Sequence, residues 1–509
     1  MFCISTKRAF RSLLLDTGEN ELIEHRLEKL KVLREKGIDP FAIERYDRTT
    51  TAGDILSDPS KFENIEVSIA GRIVSHRPMG KASFAHLQDA TGKIQVYIKS
   101  DSVGQESYSL LEYTDIGDFI GVKGTVGQTR TGETTIFVTE FTILSKSLRP
   151  IPFGKQKGDQ EWYGLQDVEQ RYRQRYVDLI VNPEVRETMM KRSIIIRSIR
   201  EFLDSEGFIE VETPVLQAVA GGAAAKPFMT HHNALDHDFH LRISLELYLK
   251  RLIVGGFEKV YEMSRVFRNE GLSTRHNPEF TLLELYQAYT NLEDMMSLVE
   301  RMFAHICQKL YGGLTLTFRG QTVDLTPPWR RLPLLEGIRE YTGVQPEEFS
   351  SLETAKKAGE RLHLPMEQET TIGGIVDKIH ERFVQPSLIQ PTFITDYPID
   401  ISPLAKKDPG NPELTRRFEP YIVGQEVGNA FSEINDPIDQ RERFVQQAQM
   451  RAGGDEEAHP MDEDFLRALE YGMPPTGGLG VGIDRLVMLF TDEQSIRDVI
   501  LFPQMKPEK

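Results

Sequence analysis

Between residues 20 and 36 the apolar positions Leu22, Ile23, Leu27, Leu30 and Leu33 recur at three- and four-residue spacing among charged residues. This period predicts one amphipathic helix, stopped by Gly37 with Pro40 beyond it. Its polar side carries Arg26, Lys29 and Arg34, which reads as a solvated face, with contact to RNA as the alternative. From Ile65 to about Leu148 the period shortens to two, in runs at 67–74, 83–87, 94–98, 119–126 and 134–144, with turn signals at Thr91-Gly92 and Thr131-Gly132. Five such strands predict a small closed barrel of the oligonucleotide-binding type. A Pro- and Gly-containing connector over 149–170 leads into a longer second part, 171–509. There, residues 186–206 return to helical spacing and stop at Gly207, and a strand is expected over 208–215, broken at Pro214. Residues 345–390 are rich in Glu and Lys and predict a helical insertion.

Length and composition refine this picture. A chain of 509 residues that is 39% hydrophobic fills more than one core, which fits an N-terminal extension (1–64), a barrel (65–148) and a larger domain. The net charge of -16 argues against a nucleic-acid partner spread over the whole surface. Residues 65–149, however, hold nine basic and nine acidic residues, so this segment is neutral and the acid lies elsewhere. Two cysteines, Cys3 and Cys307, exclude a disulfide framework and a cysteine metal site. No apolar run approaches the roughly 20 residues of a membrane span, so no membrane association is expected and a cytoplasmic protein is. Residues 1–15 carry three basic residues and no acid, a loose likeness to an organelle transit peptide, with an unstructured start as the blander alternative.

The chemistry concentrates in the second part. Residues 267–280 place Arg268, Glu270, Arg275, His276 and Phe280 along a loop punctuated by Gly, Asn and Pro, and residues 478–485 read Gly-Leu-Gly-Val-Gly-Ile-Asp-Arg. Guanidinium forks suit phosphate oxygens, and an aromatic ring suits a base. The three glycines lack the following strand and acidic residue of a dinucleotide-binding unit. These segments resemble motifs 2 and 3 of the class II aminoacyl-tRNA synthetases, and the helix, strand and Pro214 resemble motif 1, which in that family builds a dimer interface. The finer likeness is to the subgroup that handles aspartate, asparagine and lysine, and within it to the lysine branch.

The resemblance implies an α+β catalytic domain on an antiparallel sheet flanked by helices, preceded by an OB-fold anticodon-binding barrel. It implies activation of L-lysine by ATP and transfer to tRNA(Lys), with Mg²⁺ and a homodimer. Arg268 and Arg485 would be the catalytic arginines. Arg268, Glu270, Arg275, His276, Phe280, Glu419 and Arg485 would hold ATP, and Glu419 and Glu426 the metal. Hard carboxylate oxygens suit that ion. Gly222, Glu246, Arg268, Glu284, Tyr286, Asn429, Phe431, Glu433 and Gly480 would receive lysine, whose ammonium needs anionic acceptors to replace its lost hydration. An aspartate enzyme would want a cation at the end of this pocket, and none is found at these positions. In the barrel, Phe84, Gln95 and Glu133 would read the anticodon by stacking and base-edge contacts. Two departures from the family pattern, Val423 with Gln425 and Ala430, bear on loop geometry rather than on these residues. The rival readings are an aspartyl or asparaginyl enzyme, and an RNA-binding paralogue without activity.

Overall fold

The computed structural model describes residues 20–153, 155–157, 160–162, 164–454 and 458–508. The transit-peptide question at residues 1–15, and positions 154, 158, 159 and 163 of the connector, lie outside them. The chain forms two compact units, Met1–Asp167 and Val168–Lys509.

Among the described residues the first unit holds helix α1, Asn20–Glu35, and strands β1 (Glu66–Met79), β2 (Ala82–Gln88), β3 (Lys93–Lys99), β4 (Phe119–Gln128) and β5 (Thr134–Ser145). They close into a barrel in the order β1-β2-β3-β5-β4. Closure removes every sheet edge, and the alternation along each strand sends Val67, Ile69, Ile94, Val96, Ile98, Ile136 and Val138 into one dry core. Leu33 of α1 joins that core. The basic side of α1 differs from the solvated face expected of it. Arg26 donates to the carbonyls of Ser147 (2.8 Å) and Ile116 (3.0 Å), and Lys29 pairs with Asp115 at 2.7 Å. Arg26 thus bonds to loop carbonyls beside the barrel strands and Lys29 to a carboxylate, so both serve docking of the helix, while Arg34 stays exposed.

The second unit is built on a nine-stranded sheet. Its elements are α2 (Pro183–Ser205), β6 (Ile209–Glu210), α3 (Glu246–Val254), β7 (Lys259–Phe267), β8 (Glu279–Ala288) and α4 (Leu292–Tyr311). They continue as β9 (Arg330–Pro333), α5 (Leu352–Arg361), α6 (Ile372–Ile379), β10 (Thr392–Thr395), β11 (Arg417–Ile422), β12 (Gln425–Glu426), β13 (Asn429–Ser432), β14 (Thr476–Gly482) and α7 (Ile483–Thr491). The order is β9-β10-β11-β13-β14-β8-β7-β6, with β12 paired to β11. All neighbours are antiparallel except the outer pairs β9–β10 and β7–β6. Helices α2, α4 and α7 cover one face with Ile199, Phe303 and Leu489, and α3 lies on the other with Leu249 and Ile253. α5 and α6 share a core with Ile394 and Tyr421 of the sheet, so residues 345–390 are packed on it through Ala355, Ile375 and Val376.

The strand expected over 208–215 is reduced to β6. Beyond it Val211 N–H still donates to the Tyr261 carbonyl (2.9 Å), but at Thr213 side chains take over: its N–H donates to the Glu262 carboxylate (3.0 Å), and Arg242 donates to its carbonyl (3.0 Å). A backbone satisfied this way needs no ladder partner, and alternation in the sequence does not reveal the substitution.

Candidate active site and barrel face

Three central strands carry the polar groups. In register, Glu284 of β8 faces Gly480 of β14, which faces Asn429 of β13, so a strip of glycine backbone lies between rows of functional side chains. The cavity above this strip has a volume of about 320 Å³ and is lined at one end by Arg268, Arg275, His276 and Arg485 and at the other by Glu246, Glu284, Tyr286 and Glu433. Glu270, Phe280, Glu426, Asn429, Phe431, Gly222 and Gly480 also line it. All the residues assigned above to lysine or ATP therefore meet in one space, with the exception of Glu419, which sits behind its wall.

At the cationic end, the Arg268 guanidinium lies 5.1 Å from the Phe280 ring and donates to the Ile243 carbonyl at 3.3 Å. Arg485 donates to Glu426 at 3.1 Å and lies 3.3 Å from His276 Nε2. Burial and the adjacent Arg485 cation hold His276 below the ordinary histidine range. A neutral ring that accepts at Nε2 carries its proton on Nδ1, which faces Ser273 Oγ at 2.9 Å. Glu419 is already engaged: Tyr397 and Tyr421 donate to it at 2.9 and 2.6 Å, and Arg417 pairs with it at 2.6 Å. Arg417 also donates to Asn429 Oδ1 at 3.1 Å, linking that wall to the pocket. Among the described residues no group of three or more His, Cys, Asp or Glu side chains is arranged to hold a metal.

At the anionic end, Ser244 and the Leu245 N–H donate to Glu284 (2.7 and 3.2 Å), and Tyr286 donates to it at 3.2 Å. Burial and the neighbouring Glu246 charge nevertheless push Glu284 up to about 7. Between Glu246 and Glu433 lies a residue that the sequence reading passed over. Lys250, fully buried, places Nζ 2.5 Å from Glu246 Oε1 and in an ion pair with Glu433. It stands outside the positions assigned to the amino-acid pocket, and its signal in the sequence is an i,i+4 acid–lysine pair inside an apolar helix. Glu433 Oε1 is buried with no hydrogen-bond partner. It has room because Gly478 lacks a side chain: a Cβ there would lie 1.9 Å from it. Gly222, at φ +90°, also requires glycine, since a Cβ would meet Ser244 Oγ at 2.8 Å. Of the two departures, Val423 adopts φ +48° in the β11–β12 turn, and Ala430 fits the core.

On the barrel, Phe84, Tyr97 and Phe137 are register partners on adjacent strands. Their rings stand 4.7 and 5.7 Å apart along the outer face. Tyr97 and Phe137 were not singled out from sequence, although the period-two pattern places them outward. Gln95 donates to Glu133 at 2.7 Å and accepts from Thr135 at 2.8 Å, while Glu133 also meets His86 Nε2 at 3.0 Å. These side chains border one groove.

An antiparallel sheet with arginines over a glycine strip, and a closed barrel bearing aromatics, define a tRNA synthetase of the second class. The profile of the class II tRNA synthetases (D, K and N) matches residues 167–506, and that of the OB-fold nucleic acid binding domain matches residues 67–144. The chain belongs to this family. It is 56% identical to the lysine–tRNA ligase of Thermoanaerobacter sp. strain X514 over 96% of this chain and 97% of the relative. It is 58% identical to that of Pelotomaculum thermopropionicum over 96% of each chain. Against the lysine–tRNA ligase of Halalkalibacterium halodurans the identity is 52%, over 96% and 98%. Among the described residues no helix is long and apolar enough to cross a membrane.

Proposed function

We propose that the chain is a lysine–tRNA ligase, which joins L-lysine to ATP as lysyl-adenylate and passes the lysyl group to the 3′ end of tRNA(Lys). The observation that carries this reading is the convergence of Glu246, Glu284 and Glu433 at one end of a cavity whose other end is lined by arginines. Burial raises the pKa of all three carboxyls, so they reach their fully ionised form when cations arrive, and in that form three carboxylates against Lys250 leave two negative charges, which match the α- and ε-ammonium groups of lysine. Aspartate, with one ammonium and two carboxylates, is repelled by the same set, and Lys250 is already paired on two sides.

The reaction needs little proton traffic. The lysine carboxylate is ionised on arrival, attacks the α-phosphorus in line, and pyrophosphate leaves. Arg268, beside the substrate carboxylate and α-phosphate, and Arg485, on the far side of the nucleotide, stabilise the charge that builds on the phosphoryl oxygens. Arg275 and neutral His276 face the outer phosphates, Glu270 the adenine amine, and Phe280 its ring. In the second step the ribose hydroxyl of the tRNA end attacks the adenylate carbonyl and AMP departs.

Mg²⁺ would be held by the carboxylates of Glu426, which lines the cavity, and Glu419 behind it, together with substrate phosphates, as this ion commonly is with one or two carboxylates. When bound, it neutralises phosphate charge. Arg417, Tyr397 and Tyr421 hold the Glu419 carboxylate in place for it.

The barrel groove suits a single-stranded anticodon loop, with Phe84 as stacking platform and Gln95 and Glu133 as base-edge readers. A homodimer through the motif 1 region is supported by exposed Met190, Ile194, Ile209, Val215 and Leu216, an apolar set that a monomer would leave in water. The working compartment is the cytoplasm. Pyrophosphate exchange into ATP tests the assignment: L-lysine alone should stimulate it, and stimulation by aspartate or asparagine instead would overturn the reading.

A further inference from the structure

Lys250 takes no part in the steps of the reaction. It is a fully buried ammonium on α3, outside the residues that line the cavity, yet bound to two carboxylates that do. The Phe431 and Phe465 rings flank it at 5.5 and 5.9 Å. Burial pulls its pKa down, and Glu246 and Glu433 more than reverse this, so it stays charged.

A buried ammonium costs several kilocalories in desolvation unless it is fully compensated, and a fold gains nothing from one that a packed apolar residue could replace. Its position suggests what it does. Glu246 and Glu433 come from different elements, α3 and the end of β13. Two carboxylates brought together in a dry pocket would share a proton or swing apart. Lys250 removes that conflict by bonding to one oxygen of each, and leaves Glu433 Oε1 unpaired and buried.

We infer that Lys250 is a positioning residue that sets substrate specificity: it ties Glu246 and Glu433 together across two elements, keeps both aimed at the cavity, and offsets one of their charges, so that the pocket is left to be filled by a diammonium amino acid. This rests on the lysine-ligase reading of the cavity. It acts through its two partners and does not touch the substrate.

Lys250→Met, which keeps the length and removes the charge, lets Glu246 and Glu433 share a proton. The KM for L-lysine in pyrophosphate exchange should rise at least thirtyfold, with kcat within fivefold and the KM for ATP within threefold. Discrimination between L-lysine and norleucine, which lacks the ε-ammonium, should fall at least tenfold. In Lys250→Ala, n-propylammonium replaces the missing atoms. It should lower the lysine KM several-fold where n-propanol does not, and leave the wild type unaffected. This rescue also keeps the test alive should the Met variant fold poorly in a thermal melt.

A folded Lys250→Met enzyme with a lysine KM within threefold of wild type and unchanged discrimination would overturn the positioning role. So would an Ala variant indifferent to propylammonium. A wild-type enzyme that exchanges with a different amino acid would overturn the lysine reading itself, a result visible before any variant is made.

Discussion

The outer barrel face and the catalytic cavity solve recognition in opposite ways. On the barrel, Phe84, Tyr97 and Phe137 present half-exposed rings, and the polar groups beside them, Gln95, Glu133 and His86, bond to one another. Such a face costs little to keep in water and exchanges those bonds for base edges when a strand arrives. In the cavity, the acids and Lys250 are buried and mutually dependent, and Glu433 Oε1 has no hydrogen-bond partner. Low dielectric makes each charge there worth far more than on a surface. The contrast teaches that substitutions should be graded on the barrel, but steep and coupled in the cavity.

The largest effect should come from Arg268→Ala. Removal of one preorganised group that stabilises transition-state charge costs roughly 100- to 1,000-fold, so pyrophosphate exchange should fall into that range while the tRNA affinity of the barrel stays within twofold. A loss below tenfold would place Arg268 outside the chemistry. Next, Glu246→Gln should raise the lysine KM well over tenfold, because it removes an acceptor and leaves Lys250 with a single ionised partner. A near-normal lysine response would take Glu246 out of the pocket and weaken the contrast.

The pH dependence sharpens the same side. Glu284, pushed up to about 7 by burial and Glu246, is protonated at pH 6 and ionised at pH 8 in the free enzyme. The ionised form is the one that receives an ammonium, so kcat/KM for lysine should climb about tenfold across that interval. Flat behaviour would show that Glu284 does not titrate there. For stability the sign is reversed. A folded-state pKa above the unfolded value means that the native state binds more protons between the two values. The contribution of Glu284 to stability is therefore present below about 4.5 and is lost as pH rises through about 7.

On the barrel, Phe84→Ala should reduce aminoacylation of tRNA about tenfold, in line with stacking worth about 1–3 kcal/mol per base, while leaving lysine-dependent exchange intact. Equal losses in both assays would discredit the barrel's assignment. Tyr97→Ala should behave alike, and because its ring touches that of Phe84 the double variant should lose less than the product of the two single losses. The smallest effect is expected at the turn. Val423 at φ +48° carries strain of about 1–2 kcal/mol, and its buried side chain returns about 1.5–3 kcal/mol. Val423→Gly should therefore destabilise by only about 1 kcal/mol in a thermal melt and keep exchange within twofold.

The sequence by itself determined the barrel, because five alternating runs separated by turn residues have few other ways to bury their apolar sides. It also pointed to the arginines and acids of the cavity, whose motifs are local and whose residue types state their chemistry. Only the tertiary structure decided what those groups do to one another. Lys250 reads as one more polar position on α3 until β13 delivers Glu433 against it. Arg26 and Lys29 read as a wet face until the barrel end offers its carbonyls and Asp115, and the backbone after β6 reads as strand until Glu262 and Arg242 take its hydrogen bonds. In each case the partner is remote in the chain. Periodicity records which side of an element is apolar, whereas pairing of charges depends on contacts that exist only once the elements have packed.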